Sequence, residues 1–368
     1  MLRILKNLKF WDKRWLWIIL GLATILLTIL AGNFPARVEQ LYSRAVFPVI
    51  RKSLDMFLGW SPIPWLYIFI LFLLLGGAFY FLKLIRKKSS IWKKLLDLGF
   101  SLLALAGGLV FFFQLLWGLN YQRIPLEEQL GFSQQPIDSV RLEFLLQYST
   151  EKVVEHRAAL VGDDTSAIGR EQLPGQLEDK VLRAVNQAME AMDLPGFFGP
   201  RARQLWPEGV LLRFSTSGFY FPFTGECNLD RGLHPLQQPF VMAHEFGHAF
   251  GFGDEGTCNF LGFISTINSE DTFIQYTGWL GLWRYIVRDF RSAHPERYRE
   301  IFPGLPVGAL NDWEAIRLQM TRFPDIMPRF RDLAYQTYLH SQGVRDGLKS
   351  YNRVVNLADA WLRTKGNK

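Results

Sequence analysis

Three stretches of the chain carry no charged residue over a bilayer-matching length: Trp15 to Gly32, Ile63 to Leu82 and Leu98 to Asn120. About 20 apolar residues in helical form cross a hydrocarbon core of about 30 Å. Transmembrane helices are therefore predicted over about 15–32, 63–82 and 98–119. A cleavable signal peptide does not fit, because no small-residue cleavage site follows the first run and two more spans come after it. From Tyr121 onward no uncharged run is long enough to span, and the texture becomes that of a water-soluble domain. "SVRLEFLLQYSTEKVVEHRAALV" keeps helical spacing at Val140, Phe144, Leu145 and Tyr148, "DDTSAIGREQLPGQ" reads as a loop, and "LEDKVLRAVNQAMEAM" as a second helix. "GVLLRFSTSGFYFPFTGECNLD" is aromatic and broken by Gly and Pro, and predicts a short strand pair that includes 209–216. The helical period returns at Val241 and persists, with breaks, to the C-terminus. The expected architecture is a membrane anchor over 1–120 and a mainly α, α+β soluble domain over 121–368, with a small sheet just ahead of His244.

The net charge of +7 and pI near 9.3 alter this picture only through their placement. Residues 1–120 carry 15 Lys and Arg against 4 Asp and Glu, whereas 121–368 carry 26 against 30. The basic excess belongs to the membrane part, so nucleic acid is not an expected partner; the lipid bilayer is. Arg3, Lys6, Lys9, Lys13 and Arg14 precede the first span, and Lys83, Arg86, Lys87, Lys88, Lys93 and Lys94 fill the short second loop. By the positive-inside rule both are cytoplasmic, and three crossings place the domain after Asn120 outside the cytoplasm.

The chemistry concentrates in "HEFGHAFGFGDEGTCNF", His244 to Phe260. Residues i and i+4 share a helix face, so His244 and His248 can offer two imidazoles to one ion. Glu245 lies where it can reach water rather than the metal, the arrangement of a His-Glu-x-x-His zinc site with a general base. The surrounding Ala243, Phe246, Gly247 and Ala249 are uncharged, and unpartnered histidines and a carboxylate on a buried helix are costly. Gly251 and Gly253 can stop the helix and reverse the chain, bringing back a third ligand. Glu255 is preferred, because Asn259 shares its helix face and could support a ligand histidine. Asp254 is the rival, at the spacing where the metzincins carry their third ligand. His156, His234, His294 and His340 lack ligand spacing and read as surface or capping residues.

With these motifs the chain resembles an uncharacterised family of bacterial membrane proteins classed as predicted zincin-type metallopeptidases. The resemblance rests on the His244–Phe260 segment, on "FPFTGE" at 221–226, on "WGLNYQRIPL" at 117–126, on "VEQLYSRAVFPVI" at 38–50, and on "YQTYLHSQGVRDGLKSYNRVV" at 335–355. It implies a zincin-like domain anchored in the bacterial cytoplasmic membrane, with Zn2+ as cofactor. One departure stands out: both cysteines, Cys227 and Cys258, occupy positions where the family carries small residues. Outside the cytoplasm disulfides are permitted, and a zincin arrangement would bring the two close. A Cys227–Cys258 bridge and two separate buried thiols are both open at this point.

The expected activity is hydrolysis of a peptide or protein substrate. Zinc lowers the pKa of its water from ~16 toward ~7 and polarises the scissile carbonyl; Glu245 takes the proton and passes it to the leaving amine. The 209–216 strand could hold an extended substrate by edge pairing. Tyr338 and Tyr351, from the C-terminal block, are candidates for stabilising the oxyanion. The alternative is a non-catalytic envelope binding or scaffold protein with a structural zinc. An intramembrane protease fits poorly, since Asp254 and Glu255 follow the motif directly and no long apolar run encloses it.

Overall fold

Asp12 opens the first described helix by accepting the amide N–H of Arg14, and the apolar run behind it forms α1 (Lys13–Ala31). Then follow α2 (Phe47–Leu58), α3 (Trp65–Arg86) and α4 (Ile91–Leu116). The computed structural model describes residues 12–132, 136–196, 199–301, 306–328 and 353–366. Among these, α1, α3 and α4 are long and apolar enough to cross a membrane, as the hydrophobic pattern predicts. Their surfaces are covered with exposed Leu, Ile and Phe, which only lipid satisfies.

Small residues let α1 and α4 touch: a Cβ at Gly21 would stand 2.6 Å from the Gly107 Cα. Polar pins fix one end of the bundle. Arg14 donates to Asp97 (2.7 Å) and to Ser101 (2.9 Å), and the Tyr80 hydroxyl of α3 lies 2.7 Å from Ser101 Oγ. The other end of α3 is tied to the body of the protein, where the Trp65 N–H donates to Glu226 (2.8 Å) and the Tyr67 hydroxyl to the Trp206 carbonyl (2.8 Å).

The segment between the first two spans is part of that body. Val38–Val46 winds as a π-helix into α2, and Val38, Tyr42 and Phe47 are buried in the common core. Arg51 is wholly buried, donating to Asp55 (2.6 Å) and to the Tyr220 hydroxyl (3.2 Å). The membrane part predicted over 1–120 thus supplies core residues as well as anchors.

The body continues with α5 (Ser139–Val161), started by Asp138 accepting the Arg141 N–H, and α6 (Leu177–Ala191). Three short strands follow, β1 (Ala202–Leu205), β2 (Gly218–Phe221) and β3 (Glu226–Asp230), in the order β1-β3-β2. β1 runs parallel to β3 and β2 antiparallel, with Tyr220 opposite Cys227. Then come α7 (Gln238–Ala249), α8 (Glu255–Ile267), α9 (Thr272–Ala293), α10 (Val307–Thr321) and α11 (Arg353–Gly366). Helix α8 is buried from Glu255 to Thr266 and forms the centre of the core. Asp312 pins α10 to its neighbours by accepting from Arg157 (2.8 Å), Tyr276 (2.6 Å) and the Ile168 N–H (2.7 Å).

One predicted element is corrected. Segment 209–216 is not a strand but a turn leading into a short 3-10 helix at Leu212–Phe214. The cause is Asp230, whose carboxylate accepts the N–H groups of Gly209 (2.7 Å), Leu211 (2.7 Å) and Leu212 (3.1 Å). A backbone whose donors converge on one carboxylate is coiled and cannot pair as a strand. The strand pair proper lies only in 218–230, and β1 adds a third strand that the hydrophobic pattern does not reveal.

Candidate metal centre

Helix α7 carries His244 and His248 one turn apart, with their rings 4.9 Å apart between centroids. The helix stops at Phe250, and Gly251 reverses the chain at φ 86°, a left-handed conformation suited to glycine. Gly253 is required for a different reason: a Cβ there would stand 2.4 Å from the Tyr121 ring. The reversed chain enters α8 through Asp254, which caps it by accepting the Thr257 N–H (2.8 Å) and pairs with Arg353 of α11 (2.9 Å). Asp254 is therefore engaged in the turn.

Glu255 instead faces both histidines, with Oε2 3.2 Å from His244 Nε2 and Oε1 3.7 Å from His248 Nε2. Ligand atoms of His244, His248 and Glu255 all lie within 4.8 Å of one another, the spacing at which one ion can be shared. The far nitrogens of both rings are also held. His244 Nδ1 donates to Asn259 Oδ1 (2.9 Å), itself supported by the Tyr285 hydroxyl (3.1 Å), and His248 Nδ1 donates to the Phe252 carbonyl (2.8 Å). Acceptors at Nδ1 fix the tautomer that turns a lone pair outward at Nε2.

Two imidazole nitrogens and a buried carboxylate then converge. Only a proton or a cation resolves that arrangement. Burial works to raise the Glu255 carboxyl, yet His248 and His244 overturn it and hold it well below the usual carboxylate range. Two nitrogens and one carboxylate oxygen are a donor set that suits Zn2+ and leaves a position open.

Glu245, on the same helix, is buried, and burial raises its carboxyl above the usual range while His244 and His248 pull the other way. The Tyr220 N–H faces it, and its Oε2 has no hydrogen-bond partner among the described residues. Gly218 permits the approach: a Cβ there would meet Glu245 Oε1 at 2.9 Å. Ser217 and Asp230 form a bonded pair, so the alternation of an antiparallel ladder turns the backbone groups of Gly218 and Tyr220 away from β3, toward Glu245.

Several supporting residues carry no ligand spacing and escape sequence reasoning. Trp117, the residue after α4, donates its indole N–H to the His248 carbonyl (2.7 Å) and stands edge-on to the His248 ring. Tyr220 and Tyr285 read only as core aromatics, and Arg51 only as one basic residue of a loop. The motif "WGLNYQRIPL" was a signal for Trp117, but its partner could not be named from it. His234 caps a turn, accepting the Leu236 N–H at Nδ1 (3.3 Å), and His294 closes α9, as capping residues do. Tyr338, Tyr351 and His340 lie outside the described residues.

The two cysteines are separate thiols, which decides against the bridge. Cys227 on β3 donates to the Glu245 carbonyl (3.2 Å), whereas Cys258 on α8 lies 3.3 Å from His248 Nδ1. They contact α7 at different points, Cys258 packing beneath Gly247, where a Cβ would stand 3.2 Å from its sulfur. Titration of the denatured, unreduced protein is expected to find both thiols free; a protein without reactive thiols would restore the bridge.

No curated protein and no solved structure shows significant similarity to the chain. A family model does: it is described as a protein of unknown function (DUF3810), it matches residues 42–358, and the chain belongs to that family.

Proposed function

We propose that this protein is a membrane-anchored, zinc-dependent peptidase whose body lies outside the cytoplasm. The observation that carries the reading is the convergence of His244 and His248 Nε2 with Glu255 next to a buried Glu245 that keeps one oxygen unpartnered among the described residues. A structural zinc is usually closed by four protein ligands, whereas the described residues bring together three. His244, His248 and Glu255 would hold the ion, which when bound polarises the scissile carbonyl and activates water.

The chain's own part is proton transfer and positioning. Glu245 Oε2 is the acceptor for the proton that water loses on attack, and returns it to the leaving amine. Burial raises its affinity for protons, which favours the first of these transfers. The outer edge of β2, beside Glu245, is where an extended peptide would pair, with the backbone of Gly218 presented to it. Basic residues ahead of the first span and in the second loop set the orientation, with the N-terminus cytoplasmic.

The test is cleavage of a randomised peptide library by the full-length protein reconstituted in vesicles. Hydrolysis is expected with zinc, is expected to fall to background after chelation, and to return when zinc is restored. A folded, zinc-replete protein that leaves every peptide intact would sink the peptidase reading in favour of a structural zinc.

A further inference from the structure

Helix α2 has one buried face and one exposed face. Phe47 and Arg51, one turn apart, are wholly buried against the body. Val49, two residues from each of them, and Met56, seven beyond Val49, lie on the opposite side and are 65% and 66% exposed. Phe57 beside them, Trp60 after the helix end and Leu41 before its start are exposed to the same degree or more. Lys52 and Ser53 share this side, so the apolar side chains flank a basic position, and exposed apolar side chains grouped in this way require a partner. The partner is set by connectivity: Ala31 ends one span and Trp65 starts the next, so the segment between them is held at the bilayer surface at both ends. Trp60 and Trp65, with ring centroids 6.0 Å apart, stand where interfacial tryptophans stand.

The other face of α2 leads directly to the candidate site. Arg51 donates to the Tyr220 hydroxyl, and the N–H of the same Tyr220 faces Glu245. The β2–β3 turn rests on α2, where a Cβ at Gly225 would stand 3.2 Å from Leu54 Cδ1. Phe223 stacks on Phe69 of α3 and Phe221 meets it edge-on, each with centroids 5.2 Å apart. From Phe221 to Gly218 is three strand steps, about 10 Å at about 3.3 Å per residue. The metal helix is tied to the membrane independently, through Trp117 at the end of α4.

We propose that α2 lies in the bilayer interface with its Val49–Met56 face in lipid, and that the site it supports acts on the juxtamembrane segment of membrane-anchored polypeptides. The substrate class rests on the peptidase reading; the placement of α2 does not. A chain leaving the bilayer in extended form advances about 3.3 Å per residue, so its first handful of residues come level with β2. Freely diffusing peptides lack the high local concentration that anchoring in the same membrane supplies.

The test has two arms, both on full-length protein in phosphatidylcholine vesicles. In the first, Val49→Cys, Met56→Cys and Phe57→Cys are labelled singly with a fluorophore; Cys227 and Cys258 are wholly buried and do not compete. Quenching by nitroxide lipid and protection from iodide are expected, with the opposite pattern for Asp163→Cys in an exposed turn. Iodide access at all three α2 positions would overturn the proposal, as would protection from both quenchers, which would mean a protein partner. In the second arm, one randomised peptide pool is offered free in solution and joined directly to a single hydrophobic span in the same vesicles. The anchored pool is expected to be cut at least about 10-fold faster, from the gain in local concentration. Equal rates would remove the substrate class and leave the peptidase reading standing. Cleavage of neither pool would remove both, while the quenching arm still decides where α2 lies.

Discussion

Full-length protein purified in detergent is expected to carry zinc in equimolar amount, and His248→Ala to lose it. Each Nε2 that faces Glu255 is oriented by an acceptor at its Nδ1, Asn259 for His244 and the Phe252 carbonyl for His248. Removing His248 leaves two donors that cannot enclose the ion, and Glu255→Ala leaves two imidazoles without a compensating charge. Both should lower affinity by more than the about 10–100-fold typical of losing an outer partner. Asn259→Ala is that outer-partner case and should fall within the range, since it frees the His244 ring without removing a ligand. Asp254→Ala should keep the metal, because its carboxylate holds the Thr257 N–H and Arg353, at a stability loss of about 1 kcal/mol for the lost helix cap. Metal analysis by atomic emission on the variants side by side decides among these. A folded wild-type protein without zinc would reduce the cluster to an ion-paired core. The excised 121–368 segment is the wrong material for this measurement, because Val38, Tyr42 and Phe47 are core residues of the same body.

The membrane helices were legible because charge-free length is a one-dimensional property. All three runs predicted from it form helices; the third begins at Ile91, ahead of the charge-free run that starts at Leu98, and the other ends lie closer to the prediction. The spacing of His244, His248 and Glu255 was legible for a related reason: a helical turn and a glycine reversal relate neighbours in sequence, and the chain brings these three together. What the sequence could not convey is contact between distant segments. Segment 209–216 has the composition of a strand, yet Asp230, far along the chain, gathers its N–H groups and coils it. Arg51 counted as a loop charge in the topology argument, while in the fold it is wholly buried under Tyr220 and Asp55. For Cys227 and Cys258 a bridge and two separate thiols were both open; in the fold each contacts α7, at different points and as a free thiol. In each case the deciding partner is brought in by packing, which periodicity does not encode.

Glu245→Gln carries the largest effect expected on activity, and its value lies in separating two losses. Glu245 is on α7 with the histidines, but among the described residues it is Glu255 whose carboxylate meets their Nε2 atoms. The substitution should therefore leave zinc content unchanged. Glutamine has nearly the same shape, so the Tyr220 N–H can still be accepted by its amide oxygen and the contact with Gly218 kept. What is lost is the basic atom: an amide cannot take a proton from water or return one to an amine. General acid–base catalysis contributes about 10²–10⁴-fold, and here one group serves both transfers, so hydrolysis should fall toward the upper end of that range. Rates on whichever peptides the wild type cleaves, measured beside zinc content, distinguish the outcomes. Lost cleavage with zinc retained assigns the proton transfer to Glu245. Undiminished cleavage with zinc retained would remove Glu245 from the mechanism and require another base at the site.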